Sequence, residues 1–246
     1  MDRMLYIAMS GAKQMLQAQA ANSNNLANVN TSGFRADLAA FNSLPVYGPG
    51  YDSRVYTGVN SAGVDLSVGS TSTTGRELDV AVNGEGWIAV QGADGKEAYT
   101  RAGDLRISSG GILETGAGHA VLADGGPLAV PPFEKLEIGA DGTVSIRPVG
   151  QAATTLAIVG RIKLVNPPKD QLEKSEDGLL RLKDGSNAPA DASLGLVSGA
   201  LEGSNVKSVD AMVSMIELAR QYEMQVKIMK SAEENDADSA KLMAMG

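Results

Sequence analysis

The sequence predicts an α+β protein in which paired N- and C-terminal helices, coiled-coil-like, flank a central irregular antiparallel β domain. Three observations predict it. Apolar residues recur at helical spacing near the N-terminus, and again from Ser208 to Met229, where there is no Gly or Pro. Between these segments, short β-branched runs alternate with Asn-Gly and Asp-Gly turn signals.

In the N-terminal segment, Leu5, Ala8, Met9, Ala12, Met15, Leu16 and Ala20 follow the helical period, and Leu26 and Ala27 continue the face. Gln19 and Ser23 interrupt it, so the stripe is thin. Next comes "NSNNLANVNTSGFR", Asn22 to Arg35, with five asparagines and no acidic group. Asn is a poor helix former because its amide competes for nearby backbone groups. Gly33 offers the positive φ that helices use just past their last turn, so this stretch reads as the helix's final turns and exit. Its amides are free to bond neighbouring chain segments.

Phe41 to Thr74 is rich in Gly, Ser, Pro and Thr, without sustained period, and reads as an extended connector with strand pieces. "LDVAVNGEGWIAVQGADGKEAYTR" then reads as three strands separated by turns at Asn83-Gly84 and Asp94-Gly95. Asp124-Gly125, Asp141-Gly142, Asp177-Gly178 and Asp184-Gly185 repeat the device. In the C-terminal helix, Met212, Met215, Ala219, Tyr222, Val226 and Met229 alternate spacings of three and four, a coiled-coil-like seam. Val209, Val213 and Ile216 widen it. Beyond Met229 the face turns acidic before Leu242, Met243 and Met245. The expected organisation is thus residues 1–35, inner helix and Asn-rich exit; 36–74, connector; 75–203, β domain; and 204–246, C-terminal helix.

Composition narrows the function. A net charge of −8 argues against nucleic acid and against an anionic membrane surface. No run of about 18 apolar residues is present, so no membrane insertion is expected. The apolar run Met4 to Met9 is too short for a signal-peptide core and Lys13 follows it, so the N-terminus is expected to be retained. Without cysteine there is no disulfide or thiolate site, and a single histidine, His119, cannot make a two-His metal site. No phosphate-binding loop, dinucleotide fingerprint or nucleophile elbow occurs. Asp79, Glu85, Asp94, Glu97 and Asp104 lie near strand ends, and two carboxylates alone suffice for a glycosidase. At 4% aromatic content, little is available to shape a sugar subsite. No catalytic, cofactor or metal residue is therefore expected.

Three motifs carry a resemblance. "SNNLANVNTSGFRA", "LDVAVNGEGWIAVQGADGKEAYTRAG" and "LEGSNVKSVDAMVSMIELARQYEMQVKIM" resemble, in that order, the N-terminal, central and C-terminal signatures of the flagellar axial proteins. Trp87 stands where relatives often have Phe. The length and the short segment after Phe34 resemble the proximal-rod branch of the basal-body rod family more than its longer distal-rod branch. The resemblance implies a structural, non-enzymatic subunit of the bacterial flagellar rod that transmits torque from motor to hook. It implies helical assembly with other copies of itself and with other rod proteins, and type III export without a cleaved signal peptide. It places the protein in the periplasm-spanning rod of the basal body. The assembly interface it implies comprises Leu5, Met9, Leu16, Asn24, Asn25, Leu26, Asn28, Phe34, Asn205, Val209, Met212, Met215, Ile216, Ala219, Tyr222, Val226 and Met229. A distal-rod subunit, or a rod-associated enzyme acting on peptidoglycan, are the alternatives. The terminal segments 1–35 and 205–246 are expected to be mobile in isolated monomer and to order on assembly.

Overall fold

A computed structural model describes residues 3–45, 55–150 and 156–244. Residues 46–54 of the expected connector, and Met245, lie outside the described residues. An N-terminal helix α1 (Arg3–Ala27) and a C-terminal helix α2 (Ser208–Ala244) bracket a series of short strands, as the α+β reading requires. The chain forms two compact units.

The first unit comprises Met1–Asn28, Asp37–Gly63 and Val206–Gly246. Its helices run antiparallel. Asn22 Nδ2 donates to Ala211 O at 2.7 Å, Gly11 lies against Gln225, and Leu5 and Tyr6 line a cavity with Ala232, Asp236 and Ala240. α1 presents small residues to this contact: Ala8, Ala12 and Ala18 are buried, and a Cβ on Gly11 would lie 3.0 Å from Gln225 Cδ. On α2 from Ala211 to Ala232 the buried or half-buried positions are Ala211, Met215, Leu218, Ala219, Tyr222, Gln225, Val226, Ile228, Met229 and Ala232. Among them Ala211, Met215, Leu218, Tyr222, Gln225, Met229 and Ala232 alternate four and three residues apart, a heptad seam. Met215, Tyr222 and Met229 of the sequence-derived seam belong to it, and Ala219 and Val226 flank it half-buried. Met212 does not belong to it: it lies on the outer face of α2, 48% exposed, away from the alanine and glycine of α1. Strands Asp37–Pro45 and Val55–Val64 pair with each other.

The second unit, Val29–Ala36 and Val64–Asn205, is built of short strands with one 3-10 turn at Lys169–Gln171. Its five-stranded sheet runs in the order Leu164–Val165, Trp87–Gln91, Glu97–Thr100, Leu180–Leu182, Leu172–Lys174. Phe133–Ile138, Thr143–Pro148 and Ala157–Arg161 form a three-stranded sheet. Trp87–Gln91 is buried on both faces: Ile88 and Val90 join a core with Val80, Leu105, Leu113 and Val144, while Trp87 and Ala89 join Tyr99, Val165 and Leu180. That explains its unbroken apolar run, because a strand covered on both sides has no polar face.

Asp94-Gly95 turns the hairpin between Trp87–Gln91 and Glu97–Thr100, and Gly95 has φ +78. Asn83-Gly84 turns the chain without making a hairpin, since Val80–Asn83 pairs with the distant strand Gly195–Ser198 instead. Ala200–Glu202 pairs with Thr71–Thr73. This second pairing brings Glu202 beside the residues that enter the unit from α1.

Candidate assembly site

The Asn-rich stretch divides at the end of α1. The helix ends at Ala27, where Asn28 N–H is shared between Asn24 O and Asn25 O, both at 3.1 Å. Asn25 is buried and makes two bonds to a single residue. Its Nδ2 donates to Asp37 O at 2.9 Å, and Asp37 N–H donates to its Oδ1 at 2.8 Å. The asparagines thus close the helix and grip its neighbours through backbone bonds. Gly33 does have positive φ (+67), but six residues beyond the helix, so it is not a helix cap. Its role is close approach: a Cβ there would sit 2.2 Å from Ala102 N and from Arg101 C, which only glycine avoids.

The loop Val29–Ala36 is fastened to the β unit mainly through polar groups. Ser32 Oγ donates to Asp104 Oδ1 at 2.9 Å, and Gly33 N–H donates to Glu202 O at 2.8 Å. Lys174 Nζ lies 4.2 Å from the Phe34 ring centroid and donates to Arg35 O at 2.9 Å. The centre of this attachment is Glu202, only 1% exposed. Its carboxylate pairs with Arg35, accepts from Arg101 Nη1 at 2.7 Å, and accepts from Gly69 N–H at 2.8 Å. Arg101 also donates to Gly84 O at 2.6 Å.

Both arginines are 3% exposed, so two buried cations face one anion. The Trp87 indole offsets part of the excess: the guanidinium carbons of Arg35 and Arg101 lie 5.4 and 5.3 Å from its centroid, within cation–π range. Burial alone would raise the Glu202 carboxyl, but the Gly69 N–H and the two guanidinium charges hold it below its ordinary value. Burial pulls the Arg35 guanidinium down, and Glu202 opposes that shift.

The sequence-expected interface residues fall into three groups. Asn25 is buried, and Leu5, Leu26, Asn28, Phe34, Asn205, Met215, Ala219, Tyr222, Val226 and Met229 are half-buried. Asn24 is exposed. Met9 (51%), Leu16 (50%), Val209 (66%), Met212 (48%) and Ile216 (56%) are exposed apolar side chains, joined by Val213. On α2 the exposed group sits within the first turns, off the intrachain seam. Past it the same face carries Arg220, Glu223 and Lys227.

The sequence reading does not include Arg35, Arg101, Glu202 and Trp87 among the site residues. The available signal is a charged residue within two positions of a glycine in each motif: "SGFR", "TRAG" and "LEG". The strand-end carboxylates are occupied: Asp79 by Thr74 and Arg76, Glu85 by Lys169, Asp94 by Arg181, Glu97 by Lys163, and Asp104 by Ser32. Among the described residues, no group of three or more His, Cys, Asp or Glu is placed to hold a metal ion.

Three family models match the chain: Flagella basal body rod protein over residues 5–35, Flagellar hook protein FlgE/F/G D1 domain over 81–146, and Flagellar basal body rod FlgEFG protein C-terminal over 197–242. Each matched region contributes to the buried cluster: Arg35 from the first, Trp87 and Arg101 from the second, Glu202 from the third. The chain is similar to the flagellar basal-body rod protein FlgF of Salmonella typhimurium, 43% identical over 251 residues and 100% of both chains. It is 34% identical to FlgF of Caulobacter vibrioides over 95% of both chains. It is 33% identical to the flagellar basal-body rod protein FlgG of Bacillus subtilis, over 95% of this chain and 96% of that one. The chain therefore belongs to the flagellar basal-body rod protein family, as a structural subunit of the basal-body rod.

Proposed function

We propose that the protein is a proximal-rod subunit that assembles helically with further copies of itself and with other rod proteins, and so passes torque from motor to hook. The observation that carries this reading is the exposed apolar group Val209, Met212, Val213 and Ile216 on α2, with Met9 and Leu16 on α1. Full burial of such a side chain is worth about 1.5–3 kcal/mol, so these faces gain stability by being covered. Two different faces on one subunit suit heterologous contacts, which repeat along a helical lattice instead of closing a dimer. The wider interface includes Asn24, Asn25, Leu26, Asn28 and Phe34 at the exit from α1, whereas Asn205, expected there with them, spends its amide on Ala36, Asp65 and Ser67 of its own unit.

The subunit acts as a scaffold. Each candidate strand-end carboxylate is engaged by a cation or hydroxyl, a pattern that suits structural turns better than a pair of catalytic acids. It reaches the rod through the flagellar type III export apparatus with its N-terminus uncleaved. No helix among the described residues is long and apolar enough to cross a membrane. The test is to locate a tagged chain in purified basal bodies by density or crosslinking, and to incubate the pure protein with cell-wall fragments. The reading expects rod density next to the motor end and no released sugar or peptide. Tag density confined to the distal rod would favour the distal-rod assignment. Release abolished by one carboxylate substitution, with assembly intact, would make the protein an enzyme.

A further inference from the structure

The chain passes between its two units at four points, and three of the bordering residues on the β side are Ala36, Val64 and Asn205. One side chain gathers these passages. Asn205 Oδ1 accepts from Ala36 N–H at 2.8 Å, and Asn205 Nδ2 donates to Asp65 O at 2.8 Å. The same Nδ2 lies 3.3 Å from Ser67 O and Ser67 Oγ. Asp65 N–H donates to Ala36 O at 2.9 Å, and Asn205 N–H lies 3.4 Å from Phe34 O. The fourth passage, the loop beginning at Val29, is bonded to the same strand end through Gly33 N–H and Glu202 O.

A carboxamide suits this junction because it offers an acceptor and a donor on one rigid plane. Asp lacks the donor, and Ser is shorter. Besides the amide, Asp65 N–H donates to Ala36 O at 2.9 Å, while Gly203 N–H donates to Ser70 O at 2.8 Å and Ala200–Glu202 pairs with Thr71–Thr73. The amide adds the link from the third segment to Ala36 N–H and Asp65 O.

We propose that Asn205 is a clasp that joins these crossing segments into one node, so that load entering the β unit is shared among them instead of falling on a single segment. This inference rests on the torque-bearing reading above. It makes Asn205 a positioning residue of the load path, with no part in the contact between subunits.

The test uses the full-length chain with Asn205→Ala and Asn205→Asp. Hydrogen exchange should show the Ala36 amide exchanging at least tenfold faster in Asn205→Ala. In Asn205→Asp, where an acceptor remains, Ala36 should stay protected while residues 65–69 exchange faster. Trp87 emission should be unchanged in both, showing the β unit folded. Both variants should enter basal bodies, and cells carrying them should lose swimming speed disproportionately as viscosity rises. Unchanged exchange at Ala36 in Asn205→Ala would overturn the clasp. Faster exchange with normal swimming under load would overturn its mechanical role. Failure of both variants to incorporate would overturn it too, because the assembly faces are untouched. Failure of the unsubstituted protein to co-purify with basal bodies would instead reject the rod reading itself.

Discussion

Replacing Glu202 with Gln tests the buried junction directly. The substitution keeps the side chain's size and an acceptor oxygen but removes the buried carboxylate that pairs with both Arg35 and Arg101. Two guanidinium groups, each 3% exposed, lose the ion-pair partner they share. Breaking a buried pair in this way costs about 3–5 kcal/mol, because the surviving charge stays desolvated. Domains are stable by only about 5–15 kcal/mol, so the loss is a large share. With a urea slope of about 1–3 kcal/mol per molar, the midpoint should fall by about 2 M. Trp87 is the chain's only tryptophan and lies against both arginines, so its emission reports on the junction as the protein unfolds. Lys169→Ala, which removes an exposed partner of Glu85, should leave the midpoint in place. The pH dependence has a definite sign. Because the Glu202 carboxyl is held below its ordinary value of 4.5, its stabilisation is complete above that pH and is lost as pH falls through its lower folded value. Below pH 4.5 the unsubstituted protein should therefore lose stability more steeply than Glu202→Gln. A midpoint shift under about 0.5 M, or parallel acid profiles, would mean that water or another anion compensates the arginines and the junction is not a dry ion pair.

Gly33→Ala should undock the loop Val29–Ala36, since the new methyl meets backbone atoms at 2.2 Å in a left-handed conformation; limited proteolysis within the loop, absent in the parent, is the expected result. Ile216→Asp should leave monomer stability within about 0.5 kcal/mol, because the side chain is 56% exposed, yet abolish incorporation into basal bodies and motility. Lys183→Ala is the surface control, and normal incorporation of Ile216→Asp would remove this face from the interface. In dilute, verified monomer, amides of α1 and α2 should exchange rapidly while those of Gly33 and Ala36 are protected. The helix contact buries mainly alanines, too little apolar area to hold long helices alone, and strong protection of both helices would contradict this.

Much of the fold is legible in the sequence because its signals are local. The helical periods, and the glycines of Asp94-Gly95 and Asp141-Gly142, act within a few residues of themselves. The partner of Val80–Asn83 was not legible, because a turn signal states where the chain bends and not which strand it meets. The face by which α2 meets α1 was hidden for a related reason. Hydrophobicity favours Met212 and Ile216, but contact depends on the shape offered by Ala8, Gly11 and Ala12. The junction is the clearest case. Arg35, Arg101 and Glu202 are far apart in sequence, and an isolated charge ordinarily reads as solvated surface. Only the strand pairing that sets Glu202 beside Gly33 brings them together. Asn25 and Asn205, by contrast, stood out as amides in motifs, though their backbone partners did not.

The central claim is that the α2 face at Val209, Met212, Val213 and Ile216 is covered by neighbouring subunits in the rod. The chain has no cysteine, so Ile216→Cys introduces a single thiol whose reaction with a maleimide reports its exposure. Lys183→Cys serves as the reference on the β unit. The account predicts rapid labelling of residue 216 in monomer and at least a tenfold slower rate in intact basal bodies that have incorporated the variant. Equal labelling of residue 216 in monomer and basal bodies would show that this face remains open to solvent and that the rod is built through another surface.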